Sequence, residues 1–164
     1  MATLTQNVNH LAPTSFKLVI DRRNYPNLEF FAQMVQHPGA SMTAAELPVP
    51  RLSSVSQSGD KLTFSELTCM IILDEDMNAY TEIYNWMTRI VNTNRKPATE
   101  RDSIPSEADI TVSILSSHNN GNKQIRYIDC VPTAVGDINF EATADDAPYI
   151  VFPTTFRFSY FEIT

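Results

Sequence analysis

An abrupt change of hydrophobic period at Asp74-Glu75-Asp76 constrains this chain more than any other feature. Before it, Leu67, Cys69, Ile71 and Leu73 alternate with Thr68, Met70 and Ile72, the period of a strand buried on one face and largely apolar on the other. After it, Tyr80, Ile83, Tyr84, Met87, Ile90 and Val91 fall on one stripe at helical spacing. The three acids fit the cap and first turn of that helix, where free backbone N–H groups and the positive end of the helix dipole favour carboxylates. The expected pattern is one helix with strands on either side.

Composition narrows the function classes. A chain of 164 residues with 43% apolar content suits one domain with a single core. Twelve Lys and Arg against 19 Asp and Glu give a net charge of −7, which argues against binding nucleic acid by neutralising phosphates. An acidic wall can still surround DNA without adhering to it, because like charges repel. The opening MATLTQNVNH has neither a basic n-region nor an apolar h-region, and no stretch reaches transmembrane length, so synthesis in a cytoplasm and no membrane partner are expected. Cys69 and Cys130, without metal-ligand spacing, read as buried free thiols.

Residues 1–13 are polar and aperiodic and read as an N-terminal arm; residues 14–164 read as one β domain. Phe16, Leu18 and Ile20 mark a first strand, and residues 21–27 read as a turn into Leu28, Phe30, Ala32 and Met34, which predicts a hairpin. Residues 47–60 form a proline- and serine-rich stretch, poor in core residues, whose stiffness predicts a docking loop. Residues 92–105 read as a polar connection. Residues 110–115 and 125–131 read as a second hairpin around Asn119-Asn120-Gly121-Asn122, residues that accept positive φ. A short strand is expected through Ile138 and Phe140. A long last strand should set Phe152, Thr154, Phe156, Phe158 and Tyr160 on one face, with Phe161 and Ile163 on the other, both faces covered. The fold class is therefore mainly β with one flanking helix, a β-sandwich or barrel.

No constellation of catalytic residues stands out. His10, His37 and His118 lack ligand spacing and read as surface histidines, and the acids at 74–76 lack the glycine and terminal glutamate of a calcium loop. Nineteen acids single out no carboxylate pair, and four glycines leave little capacity for a phosphate-cradling loop. No enzyme, metal or cofactor is expected. Trp86 lies off the centre of the helical stripe and reads as a half-buried aromatic beside the core, with an exposed contact for another protein as the alternative.

The order of these elements resembles the T4-like bacteriophage tail tube protein family, the inner tube of contractile tails. The residues that carry the resemblance are Ser15-Phe16-Lys17-Leu18-Val19-Ile20, Glu46-Leu47-Pro48, Gly59-Asp60-Lys61-Leu62-Thr63-Phe64, and Asp74-Glu75-Asp76 leading to Tyr84-Asn85-Trp86. Further on come Val131-Pro132-Thr133-Ala134-Val135-Gly136-Asp137-Ile138 and Phe156-Arg157-Phe158-Ser159-Tyr160-Phe161. The resemblance implies hexameric rings whose sheets join into one continuous barrel, stacked into a hollow conduit for genome ejection. It implies inter-ring contact through the loop, with Val49, Pro50, Arg51, Leu52, Val55 and Gln57, and a stacking or subunit contact through the arm. Its implied partners are further copies of the chain, the tail sheath protein, the tape measure protein, and baseplate and tail terminator proteins. DNA would pass through the lumen without specific binding, in a virion tail assembled in the host cytoplasm; which residues face the lumen is left open.

Two other roles belong to the same fold: a baseplate tube initiator, expected to carry extra segments, and the tube of another contractile injection system, expected to show a more glycine-rich pattern near the first long loop. From a different class, the aromatic row of the last strand could line a small ligand-binding barrel instead of a packed core.

Overall fold

The computed structural model describes residues 10–21, 23–48, 54–97, 105–116, 118, 120–142 and 149–164. Among them the chain runs β1 (Phe16–Val19), α1 (Pro26–Phe30), β2 (Ala32–Gln36), β3 (Ala40–Met42), β4 (Ala45–Leu47), β5 (Val55–Gln57), β6 (Leu62–Phe64), β7 (Leu67–Ile72), α2 (Asn78–Arg95), β8 (Ala108–Leu115), β9 (Gly121–Val135), β10 (Val151–Arg157) and β11 (Tyr160–Ile163). The main sheet is ordered β1-β8-β9-β10-β7-β2, with β11 also paired to β9. All of its pairings are antiparallel.

β9 belongs to both halves of this sheet. Its first part pairs with β8 and β11, and its last part, from Val131 to Val135, pairs with β10. The strand turns at Asp129, which sits in the left-handed region at φ 56°. The Asp109 carboxylate holds that turn, accepting the Asp129 N–H at 3.2 Å and pairing with Arg126. The second hairpin is therefore present, but its return strand runs well beyond the expected 125–131. Among the described residues, positive φ falls at Met77 and Asp129 and not in the Asn120–Asn122 turn.

β7 is the central strand of the other half. Leu67, Cys69 and Ile71 are fully buried, and Ile71 faces Phe152 of β10 on one side and Ala32 of β2 on the other. The period-two reading of this segment holds. The expected hairpin between the first two strands does not form: residues 26–30 make the helix α1, β1 pairs with β8, and β2 pairs with β7. Among the described residues the fold is thus mainly β with two helices.

A tertiary contact supports α1, too short at five residues to persist alone. Glu82 of α2 reaches its N-terminus and accepts the backbone N–H groups of Asn27 at 3.2 Å and Leu28 at 3.3 Å, together with the Asn27 side-chain amide at 2.6 Å. These are the donors that a helix start leaves without an intrahelical acceptor. Tyr25, just before α1, stacks on Trp86 of α2 with ring centroids 4.3 Å apart. Trp86 is 1% exposed and its indole N–H donates to the Ser106 carbonyl at 2.8 Å. It is a core residue, contrary to the half-buried expectation. The buried face of α2 is Ala79, Ile83, Trp86 and Thr93, whereas Tyr84 and Val91 point to solvent.

The acids before α2 act one turn earlier than expected. No acid lies in the first turn of α2. Asp74 accepts the N–H groups of Asn78 at 3.0 Å and Ala79 at 3.2 Å. Desolvation works against its ionisation, but these backbone hydrogen bonds outweigh it and hold the carboxyl below the ordinary carboxylate range. α2 also runs to Arg95, into the stretch expected to be a loop.

At the other end of the chain the long last strand is broken. β10 stops at Arg157 and β11 starts at Tyr160, so the alternation is reset across Phe158 and Ser159. Phe158 and Phe161 both pack against the core, while Tyr160 and Ile163 are exposed, so the second face is only partly covered. Phe152 and Phe156 are fully buried core residues, packed against Tyr80 and Trp86, respectively. No strand forms through Ile138 and Phe140; Phe140 is 73% exposed.

Two variants check this arrangement. Ile71→Asp puts an unpaired charge between two ladders and abolishes cooperative unfolding; a native-like circular dichroism spectrum and melt would refute the burial assignment. Glu82→Ala leaves the α1 donors without their acceptor and lowers stability by about 0.5 to 2 kcal/mol in urea unfolding, the range for loss of a helix cap.

Candidate functional site

Between β2 and β7 the chain leaves the body of the domain as a narrow ribbon. β3 pairs with β6, Ala40 facing Phe64 and Met42 facing Leu62, and beyond them β4 pairs with β5, Leu47 facing Val55 and Ala45 facing Gln57. At the joint between the two pairs a Cβ on Gly59 would overlap the Thr43 carbonyl, so the strands approach there as only glycine permits. Within the stretch expected to be a loop at 47–60, Leu47 lies on β4 and Val55–Gln57 form β5, so its described part belongs in part to a two-stranded ribbon. Of the six residues expected to make inter-ring contacts, Val55 and Gln57 lie on β5 and are exposed. Val49, Pro50, Arg51 and Leu52 lie outside the described residues, as do the first nine residues of the arm.

The ribbon buries little of itself. Met42, Leu47, Val55 and Leu62 are each about half exposed or more. A two-stranded ribbon without a covered face is marginal in water, so these apolar side chains on a projecting element suit an intermolecular contact. Sequence reasoning found the location from its prolines and serines but missed Met42 and Leu62, whose short strands carry too little alternation to be read.

Its base, in contrast, is fixed. Ser65 Oγ accepts the Gly39 N–H at 2.8 Å, and the hydroxyls of Ser41 and Thr63 lie 2.7 Å apart across the strands. Phe64 packs on Phe158 and Phe161 with centroids 5.7 and 5.2 Å away. His37, at the exit of β2, meets Phe161 edge-on at 5.0 Å, and its Nδ1 lies 2.6 Å from the Tyr127 hydroxyl. It is exposed, as expected of a surface histidine, and these contacts also make it part of the ribbon base.

The sheet edges are the second assembly feature. β1 and β2 are the two ends of the strand order, and Phe16, Lys17 and Leu18 of one line the same open groove as Ala32 and Gln33 of the other. The sheet curls toward itself without closing, so the described strands form no closed barrel within one chain. Each edge offers backbone groups that a further strand could use.

Burial pushes the Cys69 and Cys130 thiols up to about 12, so both are protonated, unreactive core groups at neutral pH. No group of three or more His, Cys, Asp or Glu among the described residues could hold a metal ion. None of the described helices is long and apolar enough to cross a membrane.

Burial lowers the His37 pKa from its ordinary 6.5. Below neutrality the unfolded chain thus binds a proton more readily than the folded one, and stability falls as pH drops through 6.5 toward the lowered folded value. Melting temperatures between pH 7.5 and 5 should show this loss in the parent chain and a smaller one in His37→Gln; identical profiles would refute the role of His37.

No protein-family model matches the chain, and no curated protein matches its sequence. Solved structures match it along nearly its whole length. A chain in the cryo-EM structure of the anti-feeding prophage cap (AFP tube terminating cap) aligns with a TM-score of 0.69 at 13% identity, covering 100% of this chain and 95% of that one. A chain in the PVC sheath–tube complex of an extracellular contractile injection system, in the extended state, aligns with a TM-score of 0.68 at 14% identity, covering 96% and 93%. A chain in the six-fold symmetrised anti-feeding prophage baseplate aligns with a TM-score of 0.64 at 9% identity, covering 99% and 97%. At these identities the likeness establishes the fold: the chain has the tail-tube-like architecture found in the cap, baseplate and sheath–tube assemblies of such particles.

Proposed function

We propose that this protein is a structural subunit of the inner tube of a contractile tail or a related contractile injection particle. The observation that carries the reading is the match over almost the entire length of both chains to proteins from sheath–tube, cap and baseplate assemblies. Local physics supports it. An exposed ribbon with half-exposed apolar residues and two unclosed sheet edges both become satisfied when further copies dock.

In this reading hexameric rings form by joining sheet edges of neighbouring copies into a continuous barrel, and the ribbon from β3 to β6 docks on the adjacent ring. The contact is heterologous and open, which lets a tube grow. The net charge of −7 suits a lumen wall that does not hold DNA. The proposed partners are further copies, the sheath, a tape measure protein, and baseplate and terminator proteins. We assign it no catalytic activity and no cofactor. Within this reading, the T4-like phage tail tube that ejects a genome remains the proposal drawn from sequence order. The tube of another injection system and a baseplate-proximal initiator are the alternatives, both favoured by the particles from which the matched structures come.

Negative-stain electron microscopy of the purified chain across a concentration series tests this directly. Rings and hollow tubes are expected; a persistent monomer would refute self-assembly into a main tube. Deleting residues 49–58 should leave a folded chain with an unchanged melting temperature to within a few degrees, yet one that forms no tubes. Tubes indistinguishable from those of the parent chain would remove the ribbon from the stacking contact.

A further inference from the structure

The outward face of α2 carries almost no charge. Thr81, Tyr84, Asn85, Thr88, Val91 and Asn92 are exposed there, and between Asn78 and Asn94 no exposed residue of the helix is charged. Its two internal charges are turned to the domain: Glu82 caps α1, and Arg89 donates to the Tyr25 hydroxyl and the Pro105 carbonyl. A solvent-facing helix ordinarily carries charged residues on its outer face, and interface centres are depleted of charge and enriched in tyrosine. Here the face is neutral in a protein with 19 acids.

The charges lie at the ends. Glu75 and Asp76 are exposed immediately before α2, and Arg95 is exposed in its last turn. A surface that is negative at one end, neutral along its middle and positive at the other is complementary to itself when inverted. Two molecules of net charge −7 repel, and they approach most easily through a face from which acids are absent. In an antiparallel pair centred near Asn85, Asp76 meets the second copy's Arg95, Thr81 meets its Val91, and Tyr84 meets its Thr88.

We propose that the exposed face of α2 is a self-association surface on which two copies of this chain pack antiparallel, α2 against α2, about a two-fold axis near Asn85. The contact is isologous and closes at two copies, unlike the open stacking proposed for the ribbon. It stands on the helix face alone and is independent of the tube reading.

Cysteine cross-linking of the full chain under mild oxidation tests it, because the native thiols are buried. Asn85→Cys lies beside the axis and should form a disulfide-linked dimer. Asn78→Cys would sit about 24 Å along the axis from its counterpart and should not. Thr88→Glu should weaken dimerisation at least tenfold by sedimentation, with an unchanged melting temperature. A cross-linked Asn85→Cys dimer with no Asn78→Cys dimer supports the proposal. Equal cross-linking at both positions, or a monomeric Asn85→Cys chain at all concentrations, overturns it. Tubes that form without an Asn85→Cys cross-link would sink this contact and leave the tube reading intact; a cross-linked dimer that never makes tubes would do the reverse.

Discussion

The structure depends on β7 being used on both sides. Its ladder to β10 and its ladder to β2 hold the second half of the sheet together, and its Leu67, Cys69 and Ile71 are wholly withdrawn from water. At its start the chain enters from the ribbon, and at its end it passes through Asp74 into α2. An element anchored in this way transmits little flexibility, so the ribbon projects from a rigid point and the helix is placed against the core by the same strand.

Around that strand the molecule divides its hydrophobic surface unevenly. The core draws its buried side chains from β1, α1, β7, α2, β8, β9 and β10, and Phe64, Phe158 and Phe161, together with the buried Tyr127, tie the ribbon base to the last strands. The outer ribbon contributes none of this. A soluble monomer gains nothing from extending apolar residues on a two-stranded element, whereas an assembling subunit does, because the same residues lose water on docking. The unclosed sheet, with β1 and β2 facing one groove, follows the same logic: it leaves pairing capacity at its edges.

Much of the architecture was legible from periodicity. The β7 strand, the second hairpin and the existence of α2 each extend over enough residues for a period to be read, and each is present. The ribbon was legible only as a place, because strands of three residues have no period. Of the six residues assigned to inter-ring contact, the two that are described are on it and exposed. The helix α1 was read as a strand because Leu28, Phe30, Ala32 and Met34 alternate; what makes residues 26–30 helical is Pro26 at the first turn and a carboxylate delivered from residue 82, which no local window contains.

Sequence by itself therefore determined a mainly β chain with a helix after the acidic turn, two buried thiols and a net charge of −7, since these follow from period and composition. Tertiary structure decided the pairing partners, the burial of Trp86 beneath Tyr25, the bend of β9 at Asp129 and the break between β10 and β11. The reason is physical. Periodicity reports which side chains seek cover along a segment, but the identity of the cover comes from residues far away in the chain, and it is that contact which fixes the phase of a helix and the end of a strand.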